Sequence, residues 1–186
     1  MTKFYHMNVA GLDRDLPICP LNDKLSIAGF VIFGDAELTE ACAGALLDKA
    51  PEYDYIITAE AKGIPLAHEM ARQRGDKKHF VARKGIKVYM VDPISVTVNS
   101  ITTKATQTLY LDGADAALMK GKRILIVDDV ISTGESLRAV EKLVEAAGGE
   151  ICGRMCILAE GDAIARGDIT YLEPLPLFDA EGNVLE

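Results

Sequence analysis

Between residues 37 and 50, in ELTEACAGALLDKA, apolar positions recur three and four apart. Leu38, Cys42, Ala45 and Leu46 share one face with charges opposite, the spacing of an amphipathic helix. The period then changes. YDYIITAE (53–60) is rich in β-formers and predicts a strand ending at a glycine-bearing turn, and IPLAHEMARQRG (64–75) predicts a helix closed by Gly75. KHFVARK (78–84) predicts a short strand. Residues 95–111, SVTVNSITTKATQTLYL, mix β-branched with polar positions and predict a long hairpin or a mobile arm. RILIVDDV (123–130) is apolar up to its two acids, as a central parallel strand covered on both faces would be. ESLRAVEKLVEAAGG (135–149) sets Leu137, Val140, Leu143 and Val144 on one helical face and ends at a glycine pair. EICGRMCILAE (150–160) predicts the next strand.

Strands and helices in this order predict an α/β fold with a mainly parallel sheet flanked by helices. Ligands in such sheets sit at the carboxyl ends of the strands. Both glycine-bearing turns, at 60–63 and 132–136, fall there. A chain of 186 residues, 49% of them hydrophobic, is long enough for one sizeable domain with a full core, so residues 1–186 are expected to form a single domain.

Charge narrows the partners. Twenty Lys+Arg against 28 Asp+Glu leave a net charge of −8, which argues against nucleic acid held through its phosphates. The first twenty residues hold no apolar run suited to a signal peptide or a membrane span, so no membrane partner is expected. Cys19, Cys42, Cys152 and Cys156 show no Cys-x-x-Cys spacing and read as free thiols of a reducing, cytoplasmic compartment.

The chemistry gathers in residues 124–136, ILIVDDVISTGES. A strand delivers Asp128 and Asp129 to the sheet edge, and a helix starts a few residues later. The loop between can aim backbone N–H groups and the hydroxyls of Ser132, Thr133 and Ser136 at one anion, phosphate above all. As ligands of that phosphate two carboxylates would repel it. As acceptors for the hydroxyls of a sugar that carries it, they make sense, with a hydrated Mg²⁺ beside them. A plain helix-capping pair is the alternative.

This stretch resembles the signature of the type I phosphoribosyltransferases, most nearly the adenine and xanthine enzymes, which bind 5-phosphoribosyl pyrophosphate. The resemblance extends over most of the chain. It implies that Asp128 and Asp129 hold the ribose 2- and 3-hydroxyls and Mg²⁺, directly or through water, and that Ser132, Thr133, Gly134, Glu135 and Ser136 enclose the 5-phosphate. It implies that Glu60, Ala61, Lys62 and Gly63 form the pyrophosphate turn, with Lys62 where the adenine enzymes carry Arg. Arg83, Lys84 and Lys87 then meet pyrophosphate, and residues of about 84–105 form a flexible β-arm that closes over the site with Lys104 and Thr106. Catalysis would rest on Asp128, Asp129, Lys62 and Arg83.

A small hood over the base is expected from about 1–34 and 160–186. In it Glu160, an acceptor, favours adenine over a 6-oxopurine unless it points to solvent, and Phe30 gives the base an apolar contact unless it serves the core. The implied activity is purine phosphoribosyl transfer in purine salvage, in a homodimer. Xanthine or another 6-oxopurine is the alternative substrate. A sensor of phosphoribosyl pyrophosphate without catalysis is the other class; the known repressor of this build carries a DNA-binding domain ahead of the fold, whereas here family-like sequence begins by about residue 16.

Overall fold

The computed structural model describes residues 2–99 and 106–185. The chain opens with strands β1 (Phe4–Val9), β2 (Leu12–Pro20) and β3 (Ser26–Ala28), followed by helix α1 (Ala36–Leu47), β4 (Tyr55–Ala59) and α2 (Ile64–Arg74). Then come β5 (Phe80–Ala82), β6 (Ile94–Asn99), β7 (Thr106–Leu111) and the short helix α3 (Gly113–Met119). The second half runs β8 (Arg123–Ile131), α4 (Glu135–Ala146), β9 (Glu150–Glu160), β10 (Thr170–Leu175) and β11 (Leu177–Phe178).

Five strands form the central sheet in the order β10-β9-β8-β4-β5, every pair parallel. Its strands are short of polar side chains because both faces are covered. Leu125 and Val127 of β8 pack with Leu38, Leu46, Leu66 and Met70 of α1 and α2. Their neighbours Ile124 and Ile126 pack with Leu137, Val140, Leu143 and Val144 of α4. Successive side chains of a strand point to opposite faces, so a strand between two helical layers must be apolar at every position. β10 is an edge strand, and it tolerates Pro174 for that reason.

A second sheet, β1-β2-β3-β11, joins the two ends of the chain. Leu177 pairs with Ile27 and Phe178 with Ser26, so the segments assigned to the hood meet in one antiparallel layer. Arg14 of β2 fastens this layer to α1. Its Nε lies 2.7 Å from Asp35 Oδ2, and Asp35 also caps α1 by accepting the Leu38 N–H at 3.0 Å. Phe30 is 5% exposed and belongs to the core beneath this sheet.

The arm is a two-stranded antiparallel ribbon of β6 and β7. It is not free of the body: Leu109 and Leu111 are buried with the α4 layer, and Ile94, Val96 and Val98 pack against it. Residues 100–105, with Lys104, lie outside the described residues.

Candidate active site

Asp128 and Asp129 sit at the end of β8, and α4 starts at Glu135, as the apolar run and the Ser-Thr-Gly loop require. Gly134 has φ 74° and is buried, a left-handed position that a residue with a side chain rarely adopts. It closes the three-residue connection, 132–134, between strand and helix. Asp129 is almost sealed from solvent, at 3% exposure, and its N–H donates to Asp128 Oδ1 at 2.9 Å. Lys62 Nζ lies 2.7 Å from Asp129 Oδ2, close enough for an ion pair but out of line for a hydrogen bond, so that oxygen accepts none from the described residues. Burial raises the Asp128 carboxyl well above its ordinary range, and the charge of Asp129 adds to the effect.

The turn after β4 packs straight onto this pair. Gly63 is buried; a Cβ built on it would come 2.1 Å from Thr58 Oγ1 and 3.0 Å from Asp128 Oδ1. The peptide joining Glu60 to Ala61 is cis. Gly63→Ala should therefore push the turn off the carboxylates, since neither neighbour is a flexible chain end. Overpacking of this kind costs about 1–3 kcal/mol, roughly 2–10 °C of Tm in a chain this size. We expect that drop together with a more than tenfold fall in kcat/KM. An unchanged Tm and rate would mean that the turn and β8 are not in tight contact.

Glu60 organises the basic cluster. Its Oε2 accepts the Lys84 N–H at 2.9 Å, and its Oε1 lies 3.2 Å from Arg83 Nη2. Those two contacts, the Lys84 N–H first, hold its carboxyl below the usual range, and Lys87 adds its charge. Arg83 Nη1 donates to Tyr89 Oη at 2.7 Å. Tyr89 closes the stretch ARKGIKVY (82–89) that carries Arg83, Lys84 and Lys87, but sequence reasoning did not single it out as the partner of Arg83. Glu60 thus reaches the site as the holder of Arg83 and Lys84.

Two hollows flank the Ser132–Ser136 loop. One, of about 390 Å³, is lined by Ser136, Lys84 and the β7 residues Thr106, Gln107 and Thr108. The other, of about 230 Å³, is lined by Ser132, Thr133, Glu160, Gly161 and Asp162; Leu21 and Leu25 of the turn between β2 and β3, with Ile27 and Leu177 of the second sheet, form its apolar wall. Phe30 does not line it. The apolar wall falls instead to side chains that the sequence reading had not singled out. Glu160 is half-buried there; burial raises its carboxyl, and the Lys62 charge partly opposes the shift.

Among the described residues no three His, Cys, Asp or Glu side chains are grouped to hold a metal ion. The donor set still suits Mg²⁺ in one way: the Asp129 oxygen that accepts no hydrogen bond is a hard, buried donor beside a second carboxylate. An ion there would take its remaining ligands from water or a bound ligand. No helix among the described residues is long and apolar enough to cross a membrane.

Residues 36–172 match the family model described as phosphoribosyl transferase domain. The hypoxanthine/guanine phosphoribosyltransferase of Methanococcus voltae is 41% identical over 109 residues, covering 59% of this chain and 54% of that protein. The adenine phosphoribosyltransferase of Rhodococcus jostii is 32% identical over 127 residues, 68% of this chain and 69% of that one. The chain spans about half the length of the hypoxanthine/guanine relatives it matches. In fold it is similar to the crystal structure of adenine phosphoribosyltransferase from Thermoanaerobacter pseudethanolicus, with a TM-score of 0.65, 24% identity and coverage of 77% of this chain and 84% of that one.

Proposed function

This chain belongs to the phosphoribosyl transferase domain family, and from that footing we propose that it transfers the 5-phosphoribosyl group of 5-phosphoribosyl pyrophosphate to a purine base, preferentially adenine. The observation that carries this reading is the Asp128–Asp129 pair at a strand end, beside a left-handed glycine loop that opens a helix. Acceptors for two hydroxyls and donors for one phosphate lie side by side, as a ribose 5-phosphate requires.

In the reaction a ring nitrogen of the base bonds to C1 of the ribose as the C1–O bond to pyrophosphate breaks, and the proton of that nitrogen passes to solvent or to the released pyrophosphate. The bonding electrons leave with pyrophosphate, and the sugar gains oxocarbenium character. Lys62, Arg83 and Lys84 answer the charge on the leaving group, with Glu60 fixing the last two. Asp128 and Asp129 hold the sugar and would hold Mg²⁺, which when bound neutralises charge on the pyrophosphate. The hollow between Ser132 and Glu160 takes the base against Leu25, Ile27 and Leu177. Holding both reactants in one geometry does most of what is asked of this protein, because no residue here needs to form a covalent bond.

Acceptors at Glu160 and Asp162 favour the exocyclic amine of adenine. A 6-oxopurine is the second reading, favoured by the 41% identity to a hypoxanthine/guanine enzyme. Exposed Ile86, Val88, Tyr89 and Val91 give one segment an apolar face suited to the expected homodimer.

A panel assay tests the reading: labelled phosphoribosyl pyrophosphate, Mg²⁺ and each nucleobase, scored for nucleotide. AMP should form fastest. Tight binding of phosphoribosyl pyrophosphate with no product from any base would replace the enzyme by a sensor.

A further inference from the structure

Lys62 puts a cation where three acids converge. Its Nζ is 2.7 Å from Asp129 Oδ2, and its charge also acts on Asp128 and Glu160. The contact is one-sided. Asp129 is 4% exposed in its side chain and cannot turn away, whereas Lys62 is 46% exposed and ends a flexible four-carbon stem. Among the described residues Asp129 is the one ion-pair partner of Lys62, and the pair lacks hydrogen-bond alignment. Two adjacent carboxylates in a site this dry need a counter-charge, and the lysine is the residue free to supply and withdraw it.

We propose that Lys62 is an exchangeable counter-ion: it neutralises the Asp128–Asp129 pair in the empty protein and is displaced by the divalent cation that arrives with the pyrophosphate substrate. The proposal rests on the sugar-phosphate reading of that pair. A divalent ion arriving alone must evict the ammonium and leave it without a partner. Arriving with pyrophosphate, it frees an ammonium that has a new anion to meet. Metal and substrate therefore bind cooperatively, and the coupling is the same whichever binds first. Asp129 is reached by the ion through the lysine's position, so Lys62 sets how strongly metal and substrate are coupled.

The test uses Mn²⁺ alone, its free fraction read by electron paramagnetic resonance, on the whole chain without any sugar phosphate. Lys62→Met should bind Mn²⁺ about tenfold more tightly than the wild type, and Lys62→Gln should shift the same way. Lys62→Arg, which keeps the charge, should bind it no better than the wild type. Addition of phosphoribosyl pyrophosphate should tighten Mn²⁺ binding far more in the wild type than in Lys62→Met. If Lys62→Met and Lys62→Gln bind Mn²⁺ no more tightly than the wild type, the counter-ion role is wrong. The underlying reading has its own check: ribose 5-phosphate, titrated by calorimetry, should bind Asp129→Asn more weakly than the wild type. Equal binding would sink the sugar assignment while leaving the Mn²⁺ comparison to stand.

Discussion

Asp128→Asn combined with Asp129→Asn is expected to lower kcat/KM at least a hundredfold while raising the Tm of the ligand-free protein. The loss of rate follows from the proposed contacts of the two carboxylates with the sugar hydroxyls. Hydrogen bonds to a charged group contribute about 1.5–3 kcal/mol each, and two of them amount to roughly 10²–10⁴ in rate. The gain in stability follows from burial. The folded protein raises the Asp128 carboxyl through burial and through the charge of Asp129. A folded-state pKa above the unfolded one favours folding at low pH, where both states are protonated, and that contribution is lost as pH rises through the raised value. An amide in place of the Asp128 carboxylate has no charge to bury. It keeps an oxygen for the N–H of the next residue, which in the wild type donates to Asp128 Oδ1 at 2.9 Å. The Tm advantage of the double variant should be near zero at about pH 4, close to the unfolded carboxylate value, and should widen toward neutrality. Asp129→Asn also removes the buried member of the ion pair, and Lys62, half-exposed, passes to solvent, so the lost pair subtracts little from it. Calorimetry across pH, with initial rates on the same preparations, measures both effects. Near-normal turnover would remove the sugar grip, and a lower Tm at neutral pH would make the acids structural.

The acids were legible because each part of their setting is local. Ile124–Val127 announce a buried strand, and Ser132–Ser136 announce a loop before a helix, within thirteen residues. The same locality explains the agreement of α1, α2, α4 and β9 with their apolar spacing. What escaped notice depends on distance or on weak turn chemistry. The β1–β2 hairpin turns at Ala10 and Gly11, with φ of 51° and 84°. Such a turn is usually announced by Asn-Gly or Asp-Gly, and Ala at a positive φ gives no warning. Helix α3 has seven residues, too few for a clear period, and is held by Met119 and Ala116 in the core. The apolar wall of the hollow beside Glu160 includes Ile27 and Leu177, which neighbour each other only through the pairing of β3 with β11. Phe30 lies close by in sequence, yet it points into the core. The contact of Lys62 with Asp129 spans two strand ends, and no spacing rule within one segment reveals it.

Glu160→Lys is expected to shift substrate preference from adenine toward a 6-oxopurine by roughly ten- to a hundredfold. Glu160 ends β9 and lines the hollow with Ile27 and Leu177, half-buried and without a hydrogen-bond partner of its own among the described residues. An ionised carboxylate there accepts from the amine of adenine and rejects an oxo group. Lysine reverses the pattern. A buried hydrogen bond made or orphaned is worth about 1–3 kcal/mol, hence the expected ratio. The ratio of kcat/KM for the two bases is the right measure, because a general loss from crowding Lys62 with a second cation cancels in it. The wild type should give the same answer by pH. Burial raises the Glu160 carboxyl, so lowering pH protonates it early and turns it into an O–H donor. The preference for adenine over hypoxanthine should therefore fall as pH drops from neutrality, and the Glu160→Gln variant should lose this dependence. A ratio unchanged within about twofold in Glu160→Lys, where a single lost hydrogen bond predicts more, would mean that Glu160 faces solvent. The choice of adenine would then rest on nothing in this pocket.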